Sequence, residues 1–306
     1  MRYDLLIGDR SYSSWSLRGW LLFSAFDLPV QVELAPMYHP GFAEALLRWA
    51  PARSVPVARA PDGALWHDSL AIAEGLAERH PDAGHWPRDP RARALARSIV
   101  AEMHSGFRAI RAACPMNLRV AWEGYEPTEE VRADLDRLEL IWAAARGMAG
   151  DGPWLFGAYS AADAFFAPVA MRIAGYALPV SDFAQAYVEA HLGHMPLRRW
   201  RAMGEAADRT LANYDMDLPT TRFPMPARIP AEPADGPSRN AACPYSGERP
   251  THFLRAGGAV WGFCSAFCRD KTMADPAAWP EFVAVMEAGG SLPEPPAGVG
   301  PAVNHS

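Results

Sequence analysis

Residues 54–76 read SVPVARAPDGALWHDSLAIAEGL. The stretch enters a strand through Val55-Pro56, turns at Pro61-Asp62-Gly63, returns through Ala64-Leu65-Trp66 and opens a helix at Asp68-Ser69. Each step has a local cause. Pro presets φ, Asp bonds to nearby backbone and Gly accepts positive φ, so Pro-Asp-Gly between apolar runs is turn chemistry. An Asp directly before an apolar-periodic run caps a helix. That helix reaches about His80, where Pro81 stops it. The stretch therefore predicts a hairpin packed under a helix, which fits one end of a small layered sheet domain.

Upstream, RYDLLIG at residues 2–8 reads as a short buried strand, and the polar turn DRSYSS leads into a helix from about Trp15 to Phe26. Pro29 ends that unit. VQVEL, Val30 to Leu34, alternates as a strand, and Gly41 to Trp49 carries a helical apolar face. The order β-α-β-α-β-β-α predicts a mixed sheet over residues 1–80. Downstream, HPDAGHWPRDP (80–90) is a linker, and Asp89-Pro90 is a cap and first-turn pair. One long helix is expected from there towards Cys114, with Leu95, Ile99, Met103, Phe107 and Ile110 on one face. Thr128 caps a helix bearing Val131, Leu135, Leu138 and Ile141. Ser160 and Asp163 form a capping-box start, and two further helices follow near Ser181–Leu192 and Pro196–Thr210. Residues 88–212 thus read as an all-helical domain. From Leu218 to Gly236 the chain is dense in proline, so 213–238 reads as an extended, semi-rigid spacer. Residues 239–290 form a compact module with turns, aromatics and three of the four cysteines.

The chain has 306 residues, half of them hydrophobic and 21% charged, with net charge -6. That supports buried cores and excludes a disordered chain. The acidic balance without a basic run counts against nucleic acid as a partner. There is no apolar window long enough for a membrane span and no signal-peptide pattern at the start, so a cytoplasmic location is expected.

The first helix start carries Ser11, Tyr12, Ser13, Ser14 and Ser16. A helix N-terminus offers unpaired N–H groups and partial positive charge, which favour a thiolate; capping alone is the plain alternative. SYSSWSLRGWLL (11–22), SVPVARAPDGALWHDSLAIAEGL (54–76) and GPWLFGAYSAADAFFAPV (152–169), in this order, resemble the glutathione transferase family over roughly residues 3–212. The resemblance implies a thioredoxin-like N-terminal domain and an all-helical C-terminal domain (fold class α+β / α), with a homodimer as the usual assembly. SSWS looks most like the serine-type, zeta-like pattern, with Trp15 where that pattern has cysteine. By resemblance, Ser13 donates to the glutathione sulfur with Ser14 its competitor. Val55, beside Pro56, pairs its backbone with the cysteinyl unit, Asp68 and Ser69 hold the γ-glutamyl end, and His39, in APMYHPGF, is the candidate for the glycyl carboxylate. The second substrate, a small electrophile, would meet His104, Phe107, Arg108, Arg111 and Asn117 in EMHSGFRAIRAACPMNLR. The Ser160/Asp163 pair is expected to be structural. The expected activity is glutathione conjugation. Glutathione-dependent isomerisation of the maleylacetoacetate type is the alternative chemistry, and a non-catalytic glutathione- or metal-binding scaffold the rival class.

CPYSGERPTHFLRAGGAVWGFCSAFC (243–268) spaces Cys243, Cys264 and Cys268 as C-x20-C-x3-C. Clustered cysteines outside a disulfide framework point to metal. The segment resembles the treble-clef-like TRASH or YHS modules, which implies a structural Zn2+. His252 is the preferred fourth ligand, with Asp270 and Asp275 behind it; Ser246 stands where a knuckle would place its second cysteine. The rival reading is three reduced cysteines packed with Phe253, Trp261, Phe263 and Phe267.

Overall fold

The computed structural model describes residues 2–149, 151–207 and 209–290. It divides into two compact units, Met1–His194 with Leu211–Pro224, and Met195–Thr210 with Met225–Ser306.

The first unit opens with β1 (Tyr3–Ile7), α1 (Ser14–Ser24), β2 (Val30–Leu34), α2 (Gly41–Leu47), β3 (Val57–Arg59), β4 (Leu65–Trp66) and α3 (Ser69–Arg79). The sheet order is β2-β1-β3-β4. β1 runs parallel to β2, with Leu5 opposite Val32, and antiparallel to β3, with Leu5 opposite Ala58. The parallel pair needs the α1 crossover, and β3–β4 close through the Pro-Asp-Gly turn, where Gly63 has φ +89°. α1 lies close against the β3 entry: a Cβ on Gly19 would sit 2.7 Å from Pro56 Cβ and Cγ. This is a thioredoxin-like half with the mixed sheet read from the element order, as the family resemblance implies.

The helical half contains α4 (Pro90–Ser105), α5 (Arg108–Ala113), α6 (Glu129–Arg146), α7 (Ala161–Tyr176) and α8 (Asp182–Gly193). α7 is its axis. Ser160 and Asp163 form the capping box, and all but one of the helix's residues are buried. The single helix expected from Pro90 to Cys114 is instead two. α4 ends at Gly106, whose N–H reaches the Glu102 carbonyl at 2.7 Å, and Phe107 adopts φ +54° before α5 begins. A Cβ at Gly106 would crowd that carbonyl at 2.8 Å, and the Asp134 carboxylate from α6 caps α5 at the Ile110 N–H. The break turns α5 away from the α4 axis while keeping Phe107 buried.

The proline-dense segment is extended, but it is no free spacer. β6 (Thr220–Arg222) pairs with β5 (Val120–Trp122) in the first unit, and β7 (Ala231–Ala234) pairs with β8 (His252–Ala256) in the second. Pro233 is accommodated because β7 is an edge strand.

The second unit gathers α9 (Met195–Ala206) with the C-terminal residues, whereas the sequence places that helix in the all-helical domain. Its sheet is β7-β8-β9, with β9 spanning Ala259–Phe263. β8 and β9 join at Gly257-Gly258, both with positive φ, as a two-residue hairpin turn requires. α10 (Ala266–Ala274) and α11 (Pro280–Glu287) complete it. Leu254, Trp261, Phe263, Trp279, Phe282 and Ala202 share its core with Cys243 and Cys268. The Arg198 guanidinium of α9 donates to both Asp275 carboxylate oxygens, at 2.8 and 2.7 Å, and both residues are buried. No helix among the described residues is long and apolar enough to cross a membrane.

Candidate active site and a three-cysteine cluster

A cavity of about 770 Å³ opens in the first unit where the start of α1 meets the β3 entry, α5 and α7. Ser13, Ser14 and Trp15 line it from α1, Val55 from the strand entry, and His104, Arg108 and Arg111 from the helical half. Arg172 of α7 and Tyr214 also reach it. The Val55–Pro56 peptide is cis.

The two candidate serines are not equivalent. Ser13 is the N-cap of α1; its Oγ accepts from the Ser16 N–H at 3.3 Å and donates to Ser16 Oγ at 2.8 Å. Ser16 Oγ in turn accepts from the Gly8 N–H. Ser14 stands in the first turn, and its Oγ accepts from Arg172 Nη2 at 3.0 Å. A hydroxyl has one proton, so Ser13 commits its own inside the protein, whereas Ser14 keeps its own for the cavity. Two backbone bonds hold Arg172 in position: Nε donates to the Cys114 carbonyl at 2.7 Å and Nη1 to the Pro168 carbonyl at 3.3 Å. Burial, with Arg111 nearby, pulls it down to about 10, still cationic at neutral pH.

Trp15 is surrounded by charge. The Arg18 and Arg111 guanidiniums each lie 4.5 Å from its ring centroid, and His104 meets its edge. Arg18 is buried, with Nε and Nη1 lacking hydrogen-bond partners; burial, then Arg111 and Arg172, holds it well below the usual arginine range. His104 Nε2 lies 3.4 Å from Asp68 Oδ2, yet burial, the largest influence, keeps its pKa below the ordinary histidine value.

The remaining predicted residues fall elsewhere. Asp68 caps α3 by accepting from the Leu70 N–H at 2.7 Å. Ser69 is buried beside it, and its Oγ has no partner. Pro56 packs on α1 at Gly19. His39 turns back on its own exposed loop, where Nδ1 accepts from the Gly41 N–H. Phe107 is core, and Asn117 is engaged by the Arg119 N–H and Asp215; neither lines the cavity. Arg172, Arg53, Tyr38 and Tyr214 were not anticipated. Arg172 had a legible signal, a lone cation in the apolar run AFFAPVAMRIAGY. Tyr214 had none, because the chain returns to this unit only after α9.

In the second unit, the sulfurs of Cys243, Cys264 and Cys268 lie within 4.8 Å of one another. The Cys243 turn closes through a Gly247 N–H bond to its carbonyl, and Ser265 caps α10 at the Cys268 N–H. A hydrogen bond from Cys268, then backbone N–H groups of Cys264, Tyr245 and Ser246, hold the Cys243 thiol well below its ordinary range. His252 does not join the cluster: it faces Phe263 across the hairpin, and its Nδ1 lies 3.0 Å from Thr251 Oγ1. Asp275 is committed to Arg198, and Asp270 to Arg269.

Residues 12–79 match the sequence model of the glutathione S-transferase N-terminal domain family. No curated protein sequence matches significantly. Among solved structures, the chain is similar to a glutathione transferase homologue from Burkholderia gl BGR1 with bound glutathione (21% identity, 68% of this chain and 100% of that one, TM-score 0.51). It is also similar to a glutathione S-transferase from Rhodospirillum rubrum F11 (18%, 72% and 96%, TM-score 0.51) and to glutathione transferase Omega 1C from Trametes versicolor (18%, 65% and 90%, TM-score 0.50). At these identities the likeness is one of fold.

Proposed function

We propose that the first unit is a glutathione transferase in which Ser14 holds the sulfur of glutathione as a thiolate. The observation that carries this reading is the hydroxyl geometry at the start of α1, where Ser14 accepts from Arg172 and keeps its own proton to give. A free thiol titrates near about 8.5. The start of α1, the Arg172 charge and one hydroxyl donor all favour the ionised form at neutral pH. The bound-glutathione homologue and the matched N-terminal family point to the same tripeptide. In this reading Val55 pairs its backbone with the cysteinyl unit, and Asp68 with the free Ser69 hydroxyl receives the γ-glutamyl end. The thiolate then attacks an electrophilic carbon: a C–S bond forms, and either a leaving group departs with its electron pair or a π pair shifts and is protonated by water. Retention on immobilised glutathione and conjugation of a reactive aryl halide test the reading. A folded chain that is neither retained nor active against a panel of electrophiles refutes it.

For the second unit we propose a structural zinc site held by Cys243, Cys264 and Cys268. Three converging sulfurs, one of them surrounded by backbone N–H donors, suit a thiolate-rich metal site. When bound, the ion would tie the Cys243 turn, the end of β9 and the start of α10 together, as a small module requires.

A further inference from the structure

The charge lining the cavity has one sign. Arg53, Arg108, Arg111 and Arg172 line it, and no Asp or Glu does, although the chain as a whole carries net charge -6. Two of these cations have other duties. Arg172 is engaged by Ser14, Cys114 and Pro168, and Arg53 stands beside Ser54 and Val55 on the side assigned to the tripeptide. Arg108 and Arg111, on the helical side, have no acid to neutralise them. Arg108 has no ion-pair partner among the described residues, and Arg111, which lies over the Trp15 ring, makes two long hydrogen bonds through Nη1, to the His104 and Gly106 carbonyls at 3.3 and 3.4 Å. Two carboxylates of this region are already engaged: Asp68 meets His104 and caps α3, and Asp134 accepts from the Ile110 N–H. Burial, together with the mutual repulsion of Arg108 and Arg111, pulls Arg111 below the usual arginine range. Two guanidiniums that repel each other and lack a counter-ion gain most from an anion. The cavity wall also carries the aromatic side chains Trp15, Tyr12, Phe42 and Tyr214.

We propose that the electrophile taken by this site is a carboxylate on a flat apolar body, its acid group received by Arg108 and Arg111 and its body held against the aromatic side chains that line the cavity. The inference rests on the glutathione reading above and adds the substrate class to it. A pair of stable conjugates tests it on the full-length chain: S-benzylglutathione and S-(4-carboxybenzyl)glutathione, each titrated by quenching of tryptophan fluorescence. A charge-assisted hydrogen bond predicts that the carboxylated conjugate binds about tenfold tighter or more. The ratio of the two affinities should fall to about one in Arg108→Gln/Arg111→Gln and drop partway in Arg108→Gln alone, whose position is exposed and makes no internal bond. Arg111→Lys, which keeps the charge, should retain most of the preference. Equal binding of both conjugates by the native chain, or an unchanged ratio in the double variant, overturns the proposal while leaving the glutathione site intact. Failure of the native chain to bind either conjugate overturns both.

Discussion

Ser14→Ala isolates the step on which the catalytic reading depends. The substitution removes one hydroxyl while leaving the Ser13 cap, the start of α1 and the Arg172 guanidinium in place. A hydrogen bond to a charged acceptor contributes about 1.5–3 kcal/mol, and about 1.4 kcal/mol moves a pKa by one unit. Losing the bond therefore raises the titration of bound glutathione by about one to two units, back towards the value of about 8.5 for a free thiol. At about pH 6.5 the thiolate population, and the conjugation rate with it, should fall roughly ten- to fiftyfold, and the two proteins should converge above about pH 9. The assay is the ultraviolet thiolate band of bound glutathione followed against pH, with conjugation rates at the same points. Ser13→Ala is the partner measurement. Its hydroxyl caps α1, so it should cost about 1 kcal/mol of stability and leave the thiol titration unchanged. A thiol midpoint that stays put in Ser14→Ala, or moves in Ser13→Ala, refutes the assignment of the free proton to Ser14.

Gly19→Ala places a methyl 2.7 Å from Pro56 and should destabilise the first unit by about 1–3 kcal/mol in a urea melt; an unaltered midpoint would mean that α1 can yield there. His191 is fully buried with neither ring nitrogen bonded, and burial holds its pKa well below the ordinary value, so the folded ring is neutral. The unfolded chain takes up that proton near about pH 6.5, so this stability is present above that pH and is lost as pH falls, at up to about 1.4 kcal/mol per unit. His191→Phe should lose that dependence, and parallel stability-versus-pH curves for the two proteins would contradict it. Metal analysis should find about one zinc per native chain, none in Cys264→Ser/Cys268→Ser and native content in His252→Ala; equal, near-zero zinc in all three sinks the site.

The elements with local signals were legible. Pro61-Asp62-Gly63 sets its own turn, and Asp68 and Ser160 cap the helices they precede. What could not be read depends on distant partners. The sequence puts two serines at one helix start, but the residue that separates them, Arg172, lies 158 positions away. Helical periodicity runs unbroken through Phe107, so the end of α4 shows only in the carbonyl contact at Gly106 and the α6 carboxylate that caps α5. Prolines announced an extended segment after residue 218 but not the strands beside which it lies. His252 looked like a ligand by composition; the hairpin register that sets it opposite Phe263 is a pairing property.

That α9 belongs to the second unit alters where this protein can be cut. In sequence order the C-terminal module looks like an appendix that could be removed at the proline-dense segment. In space its core includes Ala202, its buried Asp275 neutralises Arg198, and Glu205 receives both Arg201 and Arg228. A fragment ending near residue 224 would keep α9 while discarding Asp275, Arg228 and the core around Ala202, so side chains that the whole chain buries would meet water. Such a fragment should be poorly soluble, and its insolubility would say nothing about the first unit. The two units interleave along the chain, so any inheritance or engineering of one must carry a piece of the other's sequence with it.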